Sequence, residues 1–421
     1  MSSSTLKGAA DITAGIRIRQ RRIEKKDDSW LALIKFSFHI KALLSVLASL
    51  SVFSHILRIM SHIKLYIPGP IEVSPKTFEA FCKPMIGHRS QSFKDIYADM
   101  QPKLQSLMYT KQLVYLSTSS AWGVMEGAIR NLTTKKVLNC MCGAFSDKWL
   151  DVSKRCGKQA EALKVEWGSP VMADQIDARL ATGDFDSLTL IHNETSTGTM
   201  SPLEQIAQLK KKYPDVMFII DAVSSLSAVK IEFDKLGIDV LLAGSQKALA
   251  LPPGLTVFTV SEAAMKKAET VTDRGYYFDF VEFEKNAGQN MTPSTPSISH
   301  IYALQSKLDE ILAEGLDARF ARHDKLNGMV HEWGSKNGFT LFPEKGYESK
   351  SLTCFNNGAK PGGRVIDVAK FQKLVKENGY LIDGGYGKIK GTTFRISNMG
   401  DETEVSINQL IAVLESALSK I

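Results

Sequence analysis

A chain of 421 residues, 44% hydrophobic and 23% charged, has room for roughly two to four domains and an ordinary globular composition, which excludes a disordered chain and a small disulfide-stapled scaffold. Residues 1–63 carry ten Lys/Arg against four Asp/Glu, so +6 of the formal +7 lies in this head and the rest is near neutral. That gives no electrostatic reason to expect nucleic acid as a partner, because phosphate binding needs a concentrated basic surface.

The head comes first. Arg17, Arg19, Arg21, Arg22, Lys25 and Lys26 form a basic cluster, and Ser29 to Ile71 holds no acid. Ala42–Met60 is its most hydrophobic stretch, but four serines, His55 and Arg58 oppose insertion, so a transmembrane reading is borderline. An organellar transit peptide, or a leader upstream of a true start at Met60, are the other readings. Residues 1–63 are therefore expected to lie outside the fold.

From Lys64 onward, short apolar runs alternate with stretches of helical period. Leu113–Leu116, Lys136–Cys140, Leu188–Ile191, Val216–Ile220, Val240–Ala243 and Leu255–Val260 read as buried strands. Gly123–Leu132, Asp147–Cys156, Pro202–Lys212 and Glu262–Thr270 read as helices between them. This order predicts an α/β fold with a mostly parallel sheet covered on both faces. A helix pair, Ile301–Ala313 and Leu316–Trp333, follows. Strand-like Ser351–Phe355 and Phe394–Ser397 then bracket the helix Asp367–Glu377, and the helix Glu404–Leu418 closes the chain. The expected division is 64–320, a large domain with an N-terminal arm, and 321–421, a smaller α+β domain. The five cysteines, with Cys140 and Cys142 one residue apart, fit neither a disulfide framework nor a CxxC spacing. No metal site is read, and a reducing compartment is expected.

Ligands of an open parallel sheet sit beyond the carboxyl ends of its strands, so the polar residues after each apolar run carry the candidate chemistry. Val216–Ile220 stops at Asp221, a carboxylate that is costly there without a partner. Leu188–Ile191 stops at His192-Asn-Glu-Thr-Ser-Thr-Gly198, a cluster of hydrogen-bonding groups. Leu113–Leu116 stops at Ser117-Thr-Ser-Ser-Ala-Trp-Gly123, a turn into a helix start whose free N–H groups suit a phosphate. Val240–Ala243 stops at Gly244-Ser-Gln-Lys247, and Leu251-Pro-Pro-Gly254 keeps the chain from continuing as a helix, which places Lys247 on a fixed loop. Singly, each has a plainer reading: Asp221 a turn cap, the serine turn a helix cap, Lys247 a solvated lysine. Together, a phosphate cradle, a strand-end acid and a lysine on a rigid loop are the parts that a pyridoxal phosphate site requires.

The string Gly244-Ser-Gln-Lys-Ala-Leu-Ala-Leu-Pro-Pro-Gly254 resembles the lysine motif of class V aminotransferases of the alanine–glyoxylate and serine–pyruvate or serine–glyoxylate type. His192–Gly198, Asp221-Ala-Val-Ser-Ser225, Thr292-Pro-Ser-Thr-Pro296, Ile301-Tyr-Ala-Leu304 and Gly385–Gly400 are similar to further blocks of that family in the same order, from about Ile67 to the C-terminus. The resemblance implies the aspartate-aminotransferase-like (fold type I) fold and pyridoxal 5'-phosphate as cofactor. It also implies a homodimer, and transfer of an amino group from serine or alanine to glyoxylate or pyruvate. It makes Lys247 the Schiff-base lysine and proton shuttle and pairs Asp221 with the pyridinium nitrogen. It stacks Phe145 on the cofactor ring and presses Val223 on the opposite face. Thr195 comes near the phenolic oxygen. Gln246 and the backbone of Ser120, Ala121 and Trp122 hold the phosphate, helped by Thr295 of a second subunit. Arg395 grips the substrate carboxylate, a task for a planar, permanently charged fork.

The chain departs from the family's glycine-rich turn Thr-Gly-Ser-Gly-Thr-Gly, because Thr118-Ser-Ser-Ala-Trp-Gly123 puts a bulky Trp122 there. A narrower pocket and a looser phosphate grip are expected. His88 and Arg89 fall in a segment similar to one near the family's substrate entrance. The alternatives are a cysteine desulfurase-like or aminoethylphosphonate transaminase-like enzyme of the same family, or a membrane-tethered, non-catalytic relative. Cys354 is the only cysteine of the tail, and its strand-like context speaks against desulfuration. Small amino acids and 2-oxo acids are the expected partners, without nucleic acid or membrane. Location is read as cytoplasmic, with peroxisome (from Ser419-Lys-Ile421) or mitochondrion as the eukaryotic alternatives.

Overall fold

The computed structural model describes residues 62–421, so the readings placed on residues 1–61 lie outside the described residues. In chain order the first elements are β1 (Lys64–Leu65), α1 (Pro75–Phe81), α2 (Gln91–Met108), β2 (Val114–Ser117), α3 (Ala121–Leu132), β3 (Lys136–Met141), α4 (Ala144–Arg155) and β4 (Gln159–Lys164). There follow α5 (Ala173–Leu180), β5 (Ser187–Ile191), β6 (Asn193–Glu194), β7 (Thr199–Met200), α6 (Leu203–Ala207), β8 (Met217–Asp221), α7 (Phe233–Leu236), β9 (Val240–Gly244) and β10 (Thr256–Val260). The chain ends with α8 (Glu262–Thr270), α9 (Phe280–Ala287), α10 (Ile298–Glu314), α11 (Leu316–Lys336), β11 (Leu352–Asn356), α12 (Val368–Glu377), β12 (Tyr380–Leu381), β13 (Thr393–Ser397) and α13 (Glu404–Leu418).

A seven-stranded sheet in the order β2-β10-β9-β8-β5-β3-β4 organises the first two thirds of this unit. β10 pairs antiparallel with β2 and β9, and the other pairings are parallel. Every residue of β2, β5, β8, β9 and β10 is buried, as expected of strands covered on both faces. The antiparallel turn at β10 has a geometric cause. A parallel crossover needs a helix-sized connection, and the residues from Ser245 to Leu255 form no helix. Instead Ser245 N–H bonds Leu255 O at 2.9 Å, folding the chain back beside itself. The edge strand β4 escaped sequence reading because Gln159–Lys164 is largely polar and half exposed.

Helix starts follow side-chain caps that supply acceptors for orphan N–H groups. Ser261 accepts from Ala264 N at 3.1 Å, Asp367 from Lys370 N at 2.9 Å and Thr403 from Ser406 N at 3.2 Å. The helix read over Pro202–Lys212 is corrected: α6 ends at Ala207 and continues as a 3-10 turn, Gln208–Lys211. That turn carries Lys210, whose ammonium meets Asp239 at 2.5 Å and Val216 O at 2.7 Å beneath the sheet.

Two separate apolar clusters back the layers. One surrounds the large sheet with its helices. The other gathers Trp333, Phe339, Phe355, Phe371 and Phe394 around the antiparallel pair β11–β13. Tyr66 belongs to the second cluster, because β1 pairs parallel with β12 and Ser397 N–H bonds Tyr66 O at 2.8 Å. Among the described residues no helix is long and apolar enough to cross a membrane. Phe394 is fully buried, with Phe355 at 4.9 Å, Phe339 at 5.1 Å and Phe371 at 5.7 Å between ring centroids. Phe394→Ala should therefore cost about 3–5 kcal/mol of stability in urea denaturation. A loss below about 1 kcal/mol would show that the ring cluster is not a rigid core.

Candidate active site

A cavity of about 260 Å³ opens where β5, β8 and β9 end, the position where open parallel sheets hold ligands. β8 delivers Asp221 as its last residue, buried to 3% exposure. No ion pair is formed with the acid among the described residues, although the Lys247 charge acts on it. Its Oδ1 accepts the Val223 N–H at 2.9 Å and its Oδ2 accepts the Trp149 indole N–H at 3.3 Å. Burial pushes the Asp221 carboxyl up to about 7, against the pull of those two donors, and the charge of Glu194 adds to the rise.

Lys247 follows β9 on the loop that ends at Pro252-Pro253-Gly254, and it reaches the cavity with 9% exposure. Its ammonium contacts Pro68 O. The approach depends on Gly69 (φ +126°), where a Cβ would lie 2.7 Å from Lys247 Nζ. Burial pushes the lysine down to about 7, and the Arg395 charge lowers it further. An amine that is half neutral near neutrality is a nucleophile and a base.

The opposite wall belongs to the start of α3. Ser120 is its N-cap without a side-chain cap hydrogen bond, so the N–H groups of Ala121 and Trp122 are left for an anion, while that of Gly123 bonds Ser120 O at 2.9 Å. Ser120, Ala121 and Trp122 all line the cavity, with Trp122 tilted against Trp149 at 6.2 Å. Beside them the buried Gln246 Oε1 and Asn193 Oδ1 have no hydrogen-bond partner. Phe145 and Val223 line the cavity as read. Thr195 does too, its hydroxyl 2.5 Å from Ser224 Oγ. Along Ile191-His192-Asn193 the outer two residues face this cavity, while His192 turns away to Ser225 Oγ at 3.0 Å. Burial pushes the His192 imidazole down to about 4.

Two expected residues stand apart from the cavity wall. Arg395, on β13 and 3% exposed, sends Nε and Nη2 to Asp383 Oδ1, both at 2.8 Å, and Nη1 to Thr195 O at 2.8 Å. Of the five guanidinium donors, two are left for a ligand. Thr295 is exposed and lies 3.5 Å from His88 Nε2, outside the cavity of its own chain. Cys354 sits inside β11 at 1% exposure, and burial pushes its thiol up to about 12, the opposite of a reactive thiolate.

Residues 80–385 match the family described as Aminotransferase class-V. The chain belongs to the class-V aminotransferase family. It is 34% identical to an uncharacterized aminotransferase of Methanocaldococcus jannaschii, over 85% of this chain and 93% of that one. It is 30% identical to the L-aspartate–glyoxylate aminotransferase of Paracoccus denitrificans, over 84% and 91%. The solved structure of an alanine–glyoxylate aminotransferase from Nostoc sp. superposes with a TM-score of 0.79 at 28% identity, covering 85% of this chain and 95% of that one. The class-V aminotransferase fold is thus the fold type I architecture, and this chain is a transaminase by family.

The family depends on pyridoxal phosphate, and the residues present fit that group. An uncapped helix start marks its phosphate end, a buried acid its ring, and an amine with depressed basicity its aldehyde. Sequence reasoning missed Trp149, which braces Asp221, and Asp383, which braces Arg395. Trp149 lies 72 residues from the acid it braces and Asp383 only 12 residues before Arg395, and no local pattern marks either. It also missed Tyr386, whose ring stacks on Phe145 at 4.9 Å and 9° and whose hydroxyl lies 3.0 Å from Lys148 Nζ.

The lowered value of Lys247 makes the neutral amine dominant above about pH 7 and the ammonium below it. Reductive labelling of Lys247 in cofactor-free protein by a small aldehyde should rise with pH around a midpoint near 7, well below the 10.5 of an ordinary lysine. Asp221→Asn removes a negative charge that favours the ammonium, so it should move the midpoint down. An upward shift would contradict this arrangement.

Proposed function

We propose that this chain binds pyridoxal 5'-phosphate in the 260 Å³ cavity and moves an amino group from serine or alanine to glyoxylate or pyruvate. The observation that carries the reading is the convergence of three elements on one cavity: a depressed amine at Lys247, a strand-end acid at Asp221 and an uncapped helix start at Ser120. The glyoxylate-using relatives support the acceptor. Residues 64–320 are read as the cofactor domain and 321–421 as the smaller domain.

When bound, the cofactor supplies an aldehyde that condenses with amines and a ring that draws electrons from the bond being broken. The α3 N-terminus, Gln246 and the backbone of Ser120–Trp122 would hold its phosphate. Phe145 and Val223 would confine its ring, and Thr195 would donate to its phenolic oxygen. Asp221 would hold a proton on the ring nitrogen. The free N–H groups of Arg395 would bind the carboxylate shared by donor and acceptor. Lys247 Nζ would take the proton leaving the donor α-carbon and pass it to the cofactor's aldehyde carbon, and the nearby Arg395 charge keeps that amine neutral enough to do so. The bulk of Trp122 and Phe145 at the cavity favours small substrates.

A homodimer is part of the reading, with Thr295 reaching a neighbouring site. The large exposed side chains Met85 and Tyr276, at 64% and 80% exposure, suit a covered face. All five cysteines are free, which suits a reducing, cytosol-like compartment.

Borohydride reduction of protein mixed with pyridoxal phosphate should fix the cofactor's mass on the peptide containing Lys247, and Lys247→Ala should abolish both this adduct and transamination. An adduct that persists in Lys247→Ala would refute the assignment. Arg395→Lys keeps a cation beside Asp383 but loses the planar fork. It should raise KM for donor and acceptor alike by about tenfold to a hundredfold, the worth of one charge-assisted hydrogen bond. A loss confined to one half-reaction would mean that Arg395 reads a side chain instead.

A further inference from the structure

The block His192–Gly198 contains a carboxylate that the chemistry above leaves unused. Glu194, on β6, is fully buried, and no ion pair is formed with it among the described residues. Four donors converge on it instead. Oε2 accepts Ser146 N–H at 2.8 Å, and Oε1 accepts Phe145 N–H at 3.3 Å, Ser196 N–H at 3.1 Å and Ser196 O–H at 2.7 Å. Ser196 Oγ in turn accepts Ala144 N–H at 2.9 Å. The three N–H groups that open α4, those of Ala144, Phe145 and Ser146, are therefore all satisfied by one acid and one hydroxyl from another strand. Gly143 provides the room, because a Cβ there would lie 2.4 Å from Glu194 Cγ.

An acceptor-only group matches this donor set, and a negative charge at a helix N-terminus is favourable in a site that water does not reach. The helix it holds carries two residues of the cavity. Phe145 lines the wall, and Trp149, one turn further on, donates to Asp221. We propose that Glu194 is a positioning residue whose carboxylate anchors the start of α4 and so fixes Phe145 and Trp149 against the cofactor cavity. The consequence for the cofactor rests on the function proposed above, whereas the anchoring itself is a property of the protein alone. Glu194 also faces Asp221 and Lys247 closely enough to act on their charges, so its replacement alters both the geometry and the field of the site.

Glu194→Gln is nearly isosteric but turns one acceptor into a donor facing donors. The milder Ser196→Ala removes only the hydroxyl that links Glu194 to Ala144. Asp186→Asn is the control. Asp186 is another buried carboxylate, accepting Thr134 N–H at 2.8 Å and Lys135 N–H at 3.0 Å in the turn before β3 and paired with Lys267 at 2.9 Å, but it lies at the amino end of β5, away from the cavity. Hydrogen exchange of the cofactor-free variants, read by mass spectrometry over residues 143–149, should speed up in Glu194→Gln and Ser196→Ala and stay unchanged in Asp186→Asn. Pyridoxal phosphate should dissociate with a Kd raised about tenfold in Glu194→Gln, with reduced visible circular dichroism, and within about twofold of wild type in Asp186→Asn. Glu194→Asp, which keeps the charge, should recover part of both effects. Unchanged exchange at residues 143–149 in Glu194→Gln and Ser196→Ala would overturn the anchor. Faster exchange with an unaltered Kd would overturn its role in holding the cofactor site. A wild-type protein that takes up no pyridoxal phosphate would instead refute the proposed function, and the exchange arm would still decide the anchor.

Discussion

Everything at this site depends on holding charged groups in a cavity that water scarcely reaches. An unpaired charge moved from water into a protein interior costs several kcal/mol or neutralises itself. The chain meets that cost in a different way for each group. Asp221 takes a backbone N–H and an indole N–H and has its proton affinity raised. Lys247 is left with a carbonyl contact and loses basicity. Arg395, which cannot shed its proton, is paired with Asp383. Glu194 is satisfied by the start of α4. Two groups are thus poised to gain or lose protons near neutrality, while the other two are held by their hydrogen-bond partners.

The division follows from what each group must do. A group that exchanges protons needs a value near the working pH, and burial without an ion pair supplies it. A group that grips a carboxylate must keep its charge, so it needs a permanent counter-ion that leaves donors free. Asp383 occupies one side of the Arg395 guanidinium and Thr195 O one position on the other. The cavity is therefore assembled from segments remote in sequence, namely the arm at Gly69–Pro70, the ends of β5, β8 and β9, and the starts of α3 and α4, with β13 standing behind its wall. The arm is held at one end by β1 beside β12 and at the other by Ile71 N–H on Gln246 O at 3.2 Å, which brings Gly69 over the lysine.

Much of this was legible in the sequence. Buried parallel strands leave long apolar runs, so β3, β5, β8 and β9 were visible from composition alone, and a polar residue at the end of such a run stands out because it is expensive there. Asp221 and Lys247 stood out in this way, although singly each had a plainer reading and only their combination pointed to the site. Helices α8 and α13 begin at Ser261 and Thr403, residues whose side chains close the first turn locally. Edge strand β4 was not legible, since its exposure removes the apolar pattern. Nor was the reversal of β10, which depends on how far the preceding loop can reach.

The sequence by itself therefore determined most of the elements, the family, and the candidate groups of the site, because these depend on local periodicity and on residue chemistry. Only the tertiary structure decided their partners. That Trp149 braces Asp221 and that Glu194 caps a helix begun some fifty residues earlier are pairings between distant segments, and even Asp383, twelve residues from Arg395, reaches it only across a folded bridge. The chain must fold before burial can set the protonation of Lys247 and Asp221, since desolvation belongs to the packed interior and to no residue alone.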